Sequence, residues 1–185
     1  MTIKEKRYTA IRNELSNTAN PGAEGRAFEL SCAREKSRKV TVSKQGETDV
    51  HVRVIVNGKV RYLPAECKVN GGRVNDLLDG TNKSQFVIYR LEVTQKHKAT
   101  KKAEAWEEVR SVPPLLIPTA LFTAMLLDCN AIKEIRHRGE VDGIGIQPTS
   151  KRMYERLIAY AENFPDMEFS PEADYEDWMF EGLEL

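Results

Sequence analysis

Thr48-Asp49-Val50-His51-Val52-Arg53-Val54-Ile55-Val56 runs into Asn57-Gly58 and out again through Lys59-Val60-Arg61-Tyr62-Leu63-Pro64-Ala65-Glu66-Cys67-Lys68-Val69. Asn-Gly between two alternating runs is the strongest short-range signal for a β-hairpin closed by a two-residue turn. With that turn, Val56 faces Lys59 and Asp49 falls opposite Glu66. Directly opposed residues have Cβ atoms about 4.5–5.5 Å apart, and two like charges there destabilise a sheet. Alternation sends Val50, Val52 and Val54 one way with Leu63, Ala65, Cys67 and Val69, and puts Asp49, Glu66 and Lys68 on the other face. A divalent cation would hold the two acids, and hard carboxylate oxygens suit Mg²⁺. An exposed acidic pair neutralised by Lys68 accounts for the same pattern. Pro64 cannot donate to the ladder, and a bulge there would shift the register by one.

Outward from the hairpin, residues 3–16 read as a short helix and Ala23–Ser37 as a second, with a strand at Lys39–Ser43. Gly71-Gly72 breaks the pattern before a short helix over Arg73–Asp79. Gln85–Val93 and Ala105–Val112 read as a second strand pair joined by a lysine-rich loop, with a helix as the alternative for Phe86–Val93, and Pro113-Pro114 ends the second strand. Thr119–Ile135 reads as an apolar helix and Gly143–Gln147 as a short strand. Thr149-Ser150 caps a last helix that runs to about Asn163.

On a helical wheel Glu29 lies between Phe28 and Cys32 on one side and Ala33 on the other, one turn after Gly25, which places it on an inward face. Buried carboxylates are rare unless paired or metal-bound. A glutamate paired to Arg26 or Lys36 satisfies the same pattern.

Gly25-Arg26-Ala27-Phe28-Glu29 on a helix, Asp49 opening a hairpin strand, and Glu66-Cys67-Lys68 ending the next together resemble the PD-(D/E)XK nuclease superfamily, which includes restriction endonucleases and Holliday-junction resolvases. The resemblance covers about residues 23–93 and departs from the family pattern at the proline-containing approach Tyr62-Leu63-Pro64-Ala65. It implies an α/β fold with an α-β-β-β-α-β core, a mixed central sheet flanked by helices, and extra N- and C-terminal helices. The whole of 1–185 would be one nuclease-like domain, with a helical elaboration over about 113–165 and an acidic tail over 166–185. It implies further that Asp49, Glu66 and the Cys67 backbone carbonyl ligate Mg²⁺, for which Mn²⁺ can substitute. Lys68 would place or help deprotonate the attacking water, and Glu29 would orient a metal-bound water or a second ion. The expected activity is metal-dependent hydrolysis of DNA phosphodiester bonds, of restriction or phage and mobile-element type. A homodimer is one arrangement supplying the two sites that duplex cleavage needs.

Composition bounds these expectations. No apolar run is long enough to span a bilayer, and the charged start Met1–Lys6 has no signal-peptide core, so the expected location is the cytoplasm, with no membrane partner. Three dispersed cysteines and three dispersed histidines argue against a disulfide framework and against a zinc site. The formal net charge is zero but unevenly spread: residues 1–112 hold 22 Lys+Arg against 14 Asp+Glu, about +8, and residues 113–185 hold 6 against 14, about −8. The basic part can face DNA, and Arg73, Lys96, Lys98, Lys101 and Lys102 are candidate phosphate contacts. After Arg156 there is no Lys or Arg, so the end of the chain reads as a solvated acidic tail. A catalytically idle nuclease-like module that binds nucleic acid or protein is the competing function, and a plain structural α/β protein is a third.

Overall fold

The structure is a computed structural model that describes residues 23–33, 37–42, 48–75, 84–138 and 141–181. The expected helix over residues 3–16 lies outside them. Helix α1 spans Ala23–Cys32, and strands β1 (Val40–Val42), β2 (Val50–Val56) and β3 (Lys59–Val69) follow. Then come β4 (Arg73–Asn75), β5 (Phe86–His97), β6 (Trp106–Pro118), α2 (Thr119–Asp128), β7 (Ile132–Arg138), β8 (Val141–Ile146), α3 (Lys151–Asn163) and the two-residue β9 (Tyr175–Glu176).

β2 and β3 form the expected hairpin in the expected register, from Val56 opposite Lys59 to Val50 opposite Ala65. Asn57 and Gly58 both take positive φ, 51° and 71°, which a tight primed turn requires. No bulge occurs at Pro64, which stays paired with His51. The reason is directional. Main-chain groups alternate between the two edges of a strand, and the Pro64 carbonyl accepts from Gln85 N at 2.9 Å, so the missing N–H of Pro64 faces the β5 side and costs the β2 ladder nothing.

The main sheet has the order β1-β2-β3-β5-β6 and is mixed: β1 to β3 run antiparallel, β5 lies parallel to β3, and β6 returns antiparallel to β5. Parallel pairing of β3 with β5 demands a crossover connection. The Arg90 guanidinium stands over the Phe28 ring of α1 while its neighbour Tyr89 packs against Phe122 of α2, so the two helices cover opposite faces of the sheet. Val50, Val52, Val54, Ala65, Tyr89, Leu116, Phe122 and Leu157 belong to one buried cluster. A second sheet, β4-β8-β7, packs beside the first.

Four sequence expectations are corrected. Arg73–Asn75 is a strand, because its backbone pairs with Gly143–Gly145 of β8. Pro113-Pro114 does not end β6, which continues to Pro118. β6 is the last strand of its sheet, and the two prolines sit opposite the single residue Arg90 as a bulge between the Tyr89–Leu115 and Leu91–Val112 pairs. The helix expected over Thr119–Ile135 stops at Asp128: Asn130 adopts φ 48°, and Ile132 to Arg138 then pair with β8. Residues 166–181 are no solvated tail. Tyr175 and Phe180 are buried, β9 pairs parallel with Val54 and Ile55, and Asp174 forms ion pairs with Lys39 and Arg53. Apolar residues spaced among its acids had no visible period, yet they fill the sheet's remaining apolar face. Ser150 does cap α3, its Oγ accepting from Met153 N at 3.3 Å.

Candidate active site

Asp49 stands just before β2, where that strand's partner β3 has four residues still to run. The ladder therefore stops at Val50–Ala65, and the Asp49 carboxylate takes the next place along it: Oδ2 accepts from the Cys67 N–H at 2.9 Å. N–H and C=O of one strand residue point to the same edge, so the Cys67 carbonyl also opens toward the end of β2. Glu66 and Lys68, two apart, share a face. The Lys68 ammonium lies 3.1 Å from Glu66 Oε2 and 3.8 Å from Asp49 Oδ2. Asp49, Glu66 and Lys68 are thus brought together as their spacing predicts.

All three side chains are largely withdrawn from water. Burial by itself would lower the pKa of Lys68, and the carboxylates of Glu66 and Asp49 more than reverse this, holding the ammonium above its usual range. Lys68 is therefore a fixed positive charge in the protein as it stands. The hydrogen bond with Cys32, together with burial, pushes the Cys67 thiol well above its ordinary value.

Glu29 is 3% exposed, and Arg26 Nη1 donates to its Oε2 at 2.9 Å. Both features read from the helical wheel hold: the residue faces inward and it is paired with Arg26. Glu29 lines a cleft of about 460 Å³ together with Arg26, Asp49, Lys68, Asn70 and Gly72, while Glu66 is not among the lining residues. Among the described residues no three His, Cys, Asp or Glu side chains gather as a metal-holding group.

Asn70, for which the sequence carried no expectation, and Gly72, one of the glycine pair that follows the E-x-K strand, help to build this site. Asn70, at φ 52°, ends β3: its Oδ1 accepts from Glu92 N at 2.7 Å and its carbonyl accepts from the Tyr89 hydroxyl at 2.9 Å. Gly72 lies so close to Lys68 that a Cβ there would sit 3.1 Å from Lys68 Cδ. The glycine pair marks this in the sequence, but only the fold shows which side chain needs the room.

The candidate phosphate contacts lie elsewhere. Lys96 stands near the end of β5, 3.3 Å from Glu107, and Lys98, Lys101 and Lys102 are exposed at the far tip of the β5–β6 hairpin, outside the lining of the cleft. The Arg73 side chain lies outside the described residues. No protein-family model matches the chain, and no curated protein or solved structure matches it. Among the described residues no helix is long and apolar enough to cross a membrane.

Proposed function

We propose that this protein is a metal-dependent hydrolase of DNA phosphodiester bonds, with a core of the PD-(D/E)XK kind. The observation that carries the reading is the convergence of Asp49, Glu66 and Lys68 beside a cleft, two acids from neighbouring strands sharing one ammonium at 3.1 and 3.8 Å. The order helix, three antiparallel strands and then, after β4, the strand β5 parallel to β3 supports it. Residues 76–83, where the second core helix would begin, lie outside the described part.

The donor chemistry suits a hard divalent cation. Asp49 and Glu66 supply carboxylate oxygens and Cys67 a carbonyl, and negative charge that now needs Lys68 for compensation would be compensated by Mg²⁺. Bound there, the ion would polarise a phosphoryl oxygen and make hydroxide available near neutral pH. The chain's own groups do the rest. Asp49 is held by the Cys67 N–H, so it is preset rather than free to swing. Lys68 offers a positive charge to the phosphate where charge develops on its oxygens. With its two acids engaged elsewhere, burial would pull the Lys68 pKa down, so the same group could release a proton and take part in water activation. Glu29, braced by Arg26 and lining the same cleft, would position water there.

The test is plasmid and branched-DNA cleavage with Mg²⁺, Mn²⁺ and EDTA, run beside a calorimetric Mg²⁺ titration of wild type and Asp49→Ala. Metal-dependent nicking that Asp49→Ala abolishes together with ion binding supports the reading. A wild-type protein that binds DNA but never cuts it points to the idle module, which Lys68 already neutralising both acids would explain.

A further inference from the structure

Beyond Arg90, β5 has no strand on its β3 side among the described residues, so Leu91–His97 and Trp106–Val112 continue as a two-stranded arm. The base of the arm is anchored: the buried Arg110 guanidinium donates to Glu108 at 2.9 and 2.8 Å and to the Thr149 carbonyl at 2.9 Å, in front of α3. Its outer end carries a different feature. Trp106 pairs across the ladder with His97, and the two rings stack at 3.9 Å with 5° between their planes. His97 covers one face of the indole, yet Trp106 remains 52% exposed. The Glu108 carboxylate lies 3.6 Å from His97 Nε2, on the same side of the arm. Lys98, Lys101 and Lys102 surround the turn, and among the described residues none of them has a carboxylate partner.

An indole kept half-open to water costs solvation and contributes nothing to the core. Beside three lysines it matches the chemistry of an unpaired nucleotide, whose base stacks on an aromatic face and whose phosphate takes a cation. A base in the interior of a duplex is stacked on both faces and has none free to offer. We propose that the end of the β5–β6 arm binds single-stranded DNA, with one base stacked on the outer face of Trp106 and the flanking phosphates on Lys98, Lys101 and Lys102. Glu104 and Glu107 lie close by, the latter already engaged by Lys96, and they keep the arm's charge modest. Stacking, more than charge, therefore sets its preference. The proposal rests on the nucleic-acid part of the function above and deepens it: the substrate would be DNA with an unpaired stretch, such as an overhang, flap or branch.

Fluorescence anisotropy of labelled 20-nucleotide oligothymidine and of a 20-base-pair blunt duplex, in EDTA so that nothing is cut, tests it on the full chain. Wild type should bind the single strand more tightly than the duplex. Trp106→Leu should weaken the single strand about tenfold and the duplex less than twofold, with Trp106→Phe in between, since one stacked base is worth about that much. In a Trp178→Phe background the remaining indole should be quenched by oligothymidine. Equal losses on both DNAs, unchanged binding by both Trp106 variants, or tighter binding of the blunt duplex by wild type would overturn it. Because the measurement needs neither metal nor cleavage, an inactive Asp49 site would sink the hydrolase reading and leave this result standing, and the reverse also holds.

Discussion

The two hairpins of the main sheet, β2–β3 and β5–β6, begin alike and end differently. In the first, a two-residue turn leaves no freedom: register runs unbroken from Val56–Lys59 to Val50–Ala65, and its open end delivers Asp49, Glu66 and Lys68 to one place in partial burial. In the second, two prolines opposite Arg90 break the register, and the outer half leaves the body of the sheet for solvent. Asp49, Glu66 and Lys68 of the first hairpin gather in partial burial. Lys98, Lys101 and Lys102 of the second are exposed at its tip. A short turn thus builds a site inward, whereas a bulge and a long loop build one outward.

The sharpest way to break this comparison is Lys68→Ala. It should cut the cleavage rate about 10²–10³-fold, the roughly 2.7–4 kcal/mol typical of one group that stabilises developing charge, while Mg²⁺ binding persists. A time course at the wild-type rate would remove Lys68 from the chemistry. Triple replacement of Lys98, Lys101 and Lys102 by alanine should instead weaken DNA binding and flatten its salt dependence, without touching the rate at saturating DNA.

Stability should divide the hairpins in the same way. Lys68→Met removes the ammonium that lies 3.1 Å from Glu66 and 3.8 Å from Asp49, and should cost about 2 kcal/mol in urea unfolding, restored in part by millimolar Mg²⁺. Lys96→Ala, which breaks only the exposed pair with Glu107, should change stability by less than about 0.5 kcal/mol. Gly58→Ala should cost about 1–2 kcal/mol, because φ is 71° there and a Cβ is penalised in the left-handed region. If Lys96→Ala proves the costlier of the two lysine changes, the inward and outward division is wrong.

The smallest expected effects concern pH. The hydrogen bonds from Arg110 hold the Glu108 carboxyl below its usual range, so its contribution is present above the unfolded carboxylate pKa and is lost as pH falls through the folded value. Lys68 is raised, so its contribution is complete below the unfolded lysine pKa, near 10.4, and is lost as pH climbs through the folded one. Glu108→Gln should accordingly flatten only the acid limb of a stability profile, and Lys68→Met only the alkaline limb. Thermal melts across pH 3 to 11 would show whether the limbs separate.

The first hairpin was legible because its signals are local. Asn57-Gly58, the valine alternation and the E-x-K spacing act over a few residues, and no distant contact competes with them. The burial of Glu29 was legible for the same reason, from the helical period alone. Where sequence reasoning failed, a distant partner decided. Apolar Leu121, Phe122, Met125 and Leu126 suit one helix, but nothing local told that Ile132 onward would leave it for β8. Tyr175 and Phe180 lie among acids, and only the unfilled face of the sheet explains why they are buried.

The sequence by itself determined a hairpin, its register, the shared face of two acids and a lysine, and the inward side of α1, since each follows from a period or a turn spanning at most a dozen residues. Tertiary structure alone decided that Asp49 would take the ladder position beside Cys67, that Gly72 would leave room for the Lys68 stem, and that Trp106 would lie stacked on His97. Those are contacts between chain segments whose separation no local pattern encodes. They form because the mixed sheet aligns its strand ends at one edge and lets one hairpin outrun its neighbour.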